Sequence, residues 1–272
     1  MKLSIFALQL YLEEFGGDKD RALAYAKSRG ISTVEIFAEE LEAITLREYC
    51  QLAARHGLSI GSVIKVSSFP SKSDAEYRQE ISIIHALVDD AADAGISMMM
   101  IVPTADYVRN EEDKRFMRDR IIQGLRDIVQ YAKQKGVTIL AENFSRADYP
   151  LGTIAELRDL LENVLDLKYN FDTGNFYFSG TDVLDAYEAL KDRMVDVHIK
   201  DWKLEESGEF TVAEQSFNGC AIGDGFLPMG EIISRLVRDG YMGQLVIEIN
   251  PVAETTQTID QSIAFIKAQL GN

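Results

Sequence analysis

Alternation constrains this chain more than any other feature. Short apolar segments of strand character take turns with longer amphipathic segments of helical character along nearly the whole length. The pattern predicts strands over 3–8, 33–37, 58–66, 96–102, 137–142, 167–172, 194–199 and 244–249. Between them it predicts helices over 18–29, 45–56, 73–94, 111–135, 153–163, 182–191, 230–239 and 256–270. Stop signals agree with these bounds. Asp18 is placed as an N-cap, Thr45 and Glu48 are spaced as a capping box, and Gly30, Gly57, Gly95 and Gly136 close their helices. Strict alternation argues for parallel strands joined by right-handed crossovers. Eight such units in 272 residues fit a closed (β/α)8 TIM barrel better than an open doubly wound sheet. No linker or low-complexity tract divides the chain, so residues 1–272 are expected to form one domain.

Four of the strands end alike. In 137–142 the residues Val137, Ile139 and Ala141 are apolar; in 167–172 they are Leu167, Tyr169 and Phe171; in 194–199 they are Val195, Val197 and Ile199. The opposite parity ends in Glu142, Asp172 and His198. In the last strand Leu245, Ile247 and Ile249 form the apolar set and Glu248 stands on the other face. Side chains alternate across a strand, so the apolar sets are expected to meet the helices while Glu142, Asp172, His198 and Glu248 point inward. All four fall at the C-terminal ends of their strands, where barrels carry their chemistry. Lys200 shares the inward parity of His198.

Three carboxylates and one imidazole around a point suit a single divalent ion such as Mn²⁺, Mg²⁺, Co²⁺ or Zn²⁺. Without a cation the carboxylates repel, and at least one has to stay protonated. A bound cation removes that cost and can polarise a carbonyl and stabilise an enediolate. Taken singly, each residue has an ordinary explanation: a satisfied core histidine, barrel-interior ion pairs for Glu142 and Glu248, a turn cap at Asp172. Four together, at matching depth on neighbouring strands, favour the metal.

The chain resembles the sugar isomerase/epimerase superfamily of xylose-isomerase-like barrels over essentially its whole length. The resemblance is carried by Ala141-Glu142-Asn143, Asp172-Thr-Gly-Asn175, Val197-His198-Ile-Lys-Asp201, Gly223-x-Gly225 and Ile247-Glu248. It implies that Glu142, Asp172, His198 and Glu248 bind the metal, as in the ketose 3-epimerase branch. It also implies that Glu142 and Glu248 act as acid and base on opposite faces of the substrate. The expected activity is therefore divalent-metal-dependent isomerisation or epimerisation of a sugar or sugar phosphate, with manganese among the metals. The alternatives within the superfamily are a dehydratase of inosose or dehydroshikimate type and a non-catalytic sugar-binding relative. The family motif Asp-x-Gly-His ends here in Asn175, which hydrogen-bonds but does not titrate near neutrality. That departure bears on the substrate and leaves the metal ligands intact. Asn175 and Lys200 are the expected substrate contacts, and Trp202, Phe6 and Phe37 the expected apolar wall. Related barrels often assemble, which leaves room for a homo-oligomer.

Charge and cysteine content exclude other classes. Twenty-eight basic against 44 acidic residues give a net charge of −16, which opposes a nucleic-acid partner. Three histidines are too few for the multi-metal site of the superfamily's DNA-repair endonucleases. Cys50 and Cys220 make no disulfide framework and fit a reducing cytoplasm. The apolar run after Lys2 is interrupted by Gln9 and lacks a cleavage site, so no signal peptide and no membrane partner are expected. The longest connection, 202–227, holds Ser207-Gly208, Asn218-Gly219 and Gly223-Asp-Gly225. It is expected to be a lid, or else a hairpin turning at Ser207-Gly208.

Overall fold

Eight parallel strands close on one another into a barrel in the computed structural model. The structure describes residues 1–7, 14–42, 44–105, 108–146, 148–206, 208, 210–212, 214–249 and 255–271. The barrel strands are β1 (Lys2–Ile5), β2 (Thr33–Phe37), β3 (Ser59–Ser67), β4 (Met98–Pro103), β5 (Thr138–Glu142), β6 (Lys168–Asp172), β7 (Met194–Ile199) and β11 (Gln244–Ile247). Their order around the barrel is β1-β11-β7-β6-β5-β4-β3-β2. The helices are α1 (Lys19–Ser28), α2 (Leu46–Arg55), α3 (Asp74–Asp93), α4 (Glu111–Gln134), α5 (Ile154–Asn163), α6 (Asn175–Phe178), α7 (Val183–Leu190), α8 (Met229–Arg238) and α9 (Thr255–Leu270). The predicted barrel is therefore the observed one, and the short α6 is an addition. The predicted end of the first strand, Leu8, lies outside the described residues.

Local chemistry sets the helix starts. Thr45, Ser73 and Thr153 each form a reciprocal capping box with the glutamate three residues on, and Asp18, Asn110 and Asp182 cap with their side chains. Each such cap contributes about 1 kcal/mol. The helices then bury one stripe against the barrel. In α8 the buried residues Met229, Ile232, Ile233 and Leu236 fall three and four apart.

Two apolar layers result. The larger lies between helices and strands and includes Ile139, Ala141, Tyr169, Phe171, Val197, Ile199, Leu245 and Ile247, as the parity predicts. The smaller fills the barrel itself: Ile64, Met100 and Leu140, with Phe6, Phe37, Met98, Val102 and Val195 packed against them. Val195 corrects the parity assigned to it. Tyr169 pairs with Met194 but Asn170 pairs with Asp196, so the ladder skips Val195, which packs against the inner cluster. The same bulge brings Asp172 and His198 side by side.

The 202–227 connection is not an unstructured lid. It folds into a three-stranded antiparallel sheet of β8 (Trp202–Glu205), β9 (Phe210–Val212) and β10 (Gln215–Gly219), in the order β8-β10-β9. The hairpin expected to turn at Ser207-Gly208 is corrected: β8 pairs with β10 rather than β9, and the hairpin is β9–β10, with Val212 opposite Gln215. Ser207 itself lies outside the described residues. Trp202 packs with Phe178 and Phe217 beneath this sheet, and its Nε1 donates to the Gly174 carbonyl at 3.2 Å. Trp202 is thus a support for the sheet rather than a wall of the barrel mouth.

Asp201 anchors the turn between this sheet and α8. Its carboxylate accepts four backbone N–H groups, from Trp202 (2.9 Å), Gly223 (3.0 Å), Gly225 (3.1 Å) and Leu227 (3.2 Å). A β-carbon at Gly225 would collide with that carboxylate. Gly225→Ala should therefore cost about 1–3 kcal/mol, as overpacking does, read as a lower denaturant midpoint at unchanged slope. An unchanged midpoint would show that Asp201 does not hold the turn.

Candidate metal centre

The ends of β5, β6 and β7 and the residue after β11 bring Glu142, Asp172, His198 and Glu248 together. One ligand atom from each lies within 4.8 Å of all the others. Asp172 and His198 are fully buried, while the side chains of Glu142 and Glu248 keep 13% and 12% exposure. The two glutamates are therefore the members of the group that reach toward solvent.

Each member is held by its neighbours. Asn170, two residues back on β6, donates to Glu142 Oε1 at 2.8 Å. Asp172 Oδ1 accepts from the backbone N–H groups of Gly174 and Asn175, both at 2.8 Å. Asn143 fixes the same strand end, donating to the Asp172 carbonyl at 3.0 Å and accepting from the Asp172 N–H (3.1 Å) and the Tyr169 hydroxyl (2.6 Å). Asn175 joins this scaffold, since its side-chain nitrogen donates to the Asn143 carbonyl at 3.0 Å. The Glu248 N–H donates to the Ile199 carbonyl at 3.1 Å, which extends the β11 ladder by one residue.

His198 faces carboxylates from both ring nitrogens. Nδ1 lies 2.7 Å from Glu248 Oε2 and 3.2 Å from Glu142 Oε1, and Nε2 lies 2.9 Å from Glu35 Oε2. Phe6 meets the imidazole edge-on at a centroid distance of 5.3 Å and meets Phe37 at the same distance. Phe6 and Phe37 pack together on the inner apolar cluster, and Phe6 flanks the His198 ring. The other two histidines belong to the helix layer: His56 pairs with Asp20 at 2.9 Å, and His85 stacks on Tyr131 at 4.1 Å.

Lys200 stands inside the group. Its ammonium lies 3.1 Å from Asp172 Oδ2 and forms a close ion pair with Glu248 Oε1. Thr173 clamps its backbone, donating to the Lys200 carbonyl (2.8 Å) and accepting from the Lys200 N–H (2.9 Å). The sequence alone leaves Lys200 between counter-ion and substrate contact, and this arrangement is that of a counter-ion.

The electrostatics are those of crowded buried charge. Burial pushes Glu142 up to about 7, with Asp172 and Glu248 adding to the rise and His198 opposing it. Burial also raises Asp172 against the pull of Lys200. Burial works to raise Glu248 too, but Lys200 and His198 outweigh it and hold that carboxyl down at about 2. Burial disfavours the charged forms of His198 and Lys200, yet the surrounding carboxylates outweigh it and raise both.

A divalent ion fits this donor set. Three carboxylates and one imidazole nitrogen are oxygen-rich with one borderline ligand, which suits Mn²⁺, Mg²⁺, Co²⁺ or Zn²⁺. Asp172 Oδ2 is buried without an aligned hydrogen-bond donor. An ammonium group drawn into the carboxylates marks the place as one that takes positive charge.

Sequence reasoning missed two residues beneath this group. Glu35 and Asp196 are fully buried and gather with His198 in a second set whose ligand atoms lie within 4.8 Å of one another. Burial, and then the Glu35 charge, hold Asp196 well above the usual carboxylate range. The inward parity of Thr33-Val-Glu35-Ile-Phe37 was the available signal.

The model of the xylose isomerase-like TIM barrel family matches residues 23–269, and the chain belongs to that family. Among curated proteins it is 26% identical over 194 residues to an inosose dehydratase of Clostridium perfringens, a match covering 65% of this chain and 62% of that protein. The chain thus spans less than two thirds of that relative's length. Among solved structures it superposes on an L-ribulose 3-epimerase with a TM-score of 0.79 at 17% identity, covering 100% of this chain and 95% of that one. An IolI protein with a bound zinc atom superposes with a TM-score of 0.74 at 17% identity, covering 99% and 96%. These likenesses at low identity show the fold. No helix among the described residues is long and apolar enough to cross a membrane.

The Glu142 shift gives a pH test. Its pKa is raised to about 7 in the folded chain, from an ordinary value of 4.5. Below pH 4.5 both folded and unfolded chains hold the proton. As pH rises toward 7 the unfolded chain ionises first, and the folded chain loses stability. Chelator-treated protein should therefore lose roughly 1–3 kcal/mol across this window. Glu142→Gln should abolish that part of the loss. Superimposable stability–pH curves for the two proteins would contradict the assignment.

Proposed function

We propose that this protein is a divalent-metal-dependent enzyme that moves a proton on the carbon beside a carbonyl of a small polyhydroxylated substrate. The observation that carries this reading is the pair Glu142 and Glu248, both partly exposed beside buried Asp172 and His198. Glu142, Asp172, His198 and Glu248 would hold the ion, which when bound supplies a Lewis acid for the carbonyl and its neighbouring oxygen. Glu142 and Glu248 take up and return the proton, each from its own side of the substrate. Phe6 and Phe37 exclude water on one flank. Lys200 meets a substrate oxygen when it leaves its carboxylate partners. Asn175 is proposed as a second polar contact, alongside its hold on Asn143.

Charge supports an uncharged substrate over a phosphorylated one. Lys200 is already matched by Asp172 and Glu248. Lys65 on β3 pairs with Glu39 (2.9 Å), and on the connections Arg109 pairs with Asp113 (2.8 Å), Arg146 with Asp148 (2.6 Å) and Lys203 with Glu205 (2.9 Å). At the start of α9, near where barrels often seat a phosphate, the Thr256 N–H donates to the Glu14 carboxylate at 2.9 Å.

Isomerisation or epimerisation is the first reading, because two glutamates serve a reaction in which a proton leaves and returns. Dehydration is the second, and Lys200 favours it. Loss of hydroxide from the next carbon takes a proton donor, a role open to Lys200 once a bound ion draws off the carboxylates that hold its proton. The C. perfringens relative is named an inosose dehydratase. Both begin with the same proton removal.

Metal-loaded protein incubated in deuterated water with a panel of ketoses and inososes should place deuterium on the carbon beside the carbonyl of one of them. An isomerase returns a substrate of unchanged composition, whereas a dehydratase releases water. Glu142→Gln should cost at least ~10²-fold in turnover. Lys200→Met should block elimination while leaving exchange intact if dehydration is the reaction. Absence of exchange with every member of the panel, in protein that holds its metal, would overturn the proposal.

A further inference from the structure

Glu35 stands under the proposed metal centre and belongs to none of the groups that would touch substrate. It is fully buried on β2, at a point where the β2–β3 register shifts between Val34 and Glu35. Its Oε2 lies 2.9 Å from His198 Nε2, on the side of the imidazole opposite Glu142 and Glu248. Neither Glu35 oxygen has an aligned hydrogen-bond donor in this structure. His198 Nε2 likewise has no aligned acceptor, and a buried carboxylate whose hydrogen bonds are unmade is costly and calls for a reason.

The surroundings of Glu35 are built rather than incidental. Asp196 sits beside it, with one oxygen taking the Val197 N–H at 3.0 Å and the other 3.4 Å from the Gln244 side-chain nitrogen. The Thr33 hydroxyl donates to Gln244 Oε1 at 2.5 Å, and a β-carbon at Gly61 would collide with that same amide. A polar column therefore runs down the barrel axis from His198 through Glu35, Asp196 and Gln244 to Thr33. Its upper end is the nitrogen of His198 that faces away from the ligand group.

We propose that Glu35 is the positioning residue of the metal centre: it engages His198 Nε2–H and so presents the Nδ1 lone pair to the ion. A ligating histidine is oriented by the partner of its other nitrogen, and that partner sets ring angle and tautomer together. Glu35 is the one carboxylate within contact of Nε2 among the described residues. The inference rests on the reading of Glu142, Asp172, His198 and Glu248 as a metal site.

Zinc serves as the probe, being diamagnetic, in full-length wild type, Glu35→Gln and Glu35→Leu. Two quantities are read: the dissociation constant by chelator competition, and the ring-nitrogen NMR signals of His198. Glu35→Leu should weaken zinc roughly 10–100-fold and shift the Nε2 signal, while Glu35→Gln, which keeps an acceptor oxygen, should restore most of the affinity. Should Glu35→Leu fail to fold, Glu35→Asp replaces it; drawing the carboxylate back by one methylene should weaken zinc in the same range. Zinc affinity and His198 signals identical to wild type in a folded variant would overturn the proposal. Wild type that binds no zinc would instead overturn the metal reading beneath it, so the two failures are distinguishable.

Discussion

Buried negative charge at the mouth of the barrel is the constraint on which the rest depends. Glu142, Asp172 and Glu248 converge beside His198 with little access to water, and such charges are tolerated only with positive partners close by. Lys200 supplies one positive charge and His198 a second when protonated. Burial pushes Glu142 toward neutrality while Lys200 helps hold Glu248 ionised, so the two carboxyls that reach solvent differ sharply. A divalent ion would relieve both conditions at once, freeing Lys200 from its role as counter-ion.

The fold exists to make that crowding precise. Caps and helix stripes fix the outer layer, and the apolar cluster of Ile64, Met100 and Leu140 fills the β3–β5 side of the barrel interior, beside the polar column. The β6–β7 bulge aligns Asp172 with His198, Asn143 bonds the Asp172 backbone and Asn170 donates to Glu142. Asp201 gathers the turn at Gly223–Leu227 by four backbone hydrogen bonds, which ties the antiparallel sheet to the strand that carries His198. Strand ends therefore set the positions of these four side chains.

The barrel and the convergence of these four side chains were legible in the sequence because parity is a local property. Each of Glu142, Asp172, His198 and Glu248 follows an apolar set of opposite parity on its own strand, so its direction could be read without knowing its neighbours. Glu35 follows the same rule on β2, but one glutamate with no matching partner in the linear pattern reads equally well as solvent-facing. Its meaning comes from Asp196 and His198, which only barrel closure brings to it. Val195 was misassigned because a bulge depends on the pairing of two strands rather than on either one. Lys200 was undecided for a related reason: its parity gives a direction, while its partners across the barrel give its role. The 202–227 connection looked irregular because its strands are short, and its sheet is stabilised by aromatic residues far apart in sequence, Phe178 and Phe217 among them.

The central claim is that these four side chains form one metal site. Elemental analysis of protein reconstituted with manganese or zinc and freed of excess ion tests it most directly. The account predicts one ion per chain, falling toward zero in His198→Ala and Asp172→Ala while both variants remain folded. Wild type without bound ion, or variants that retain a full equivalent, would contradict it.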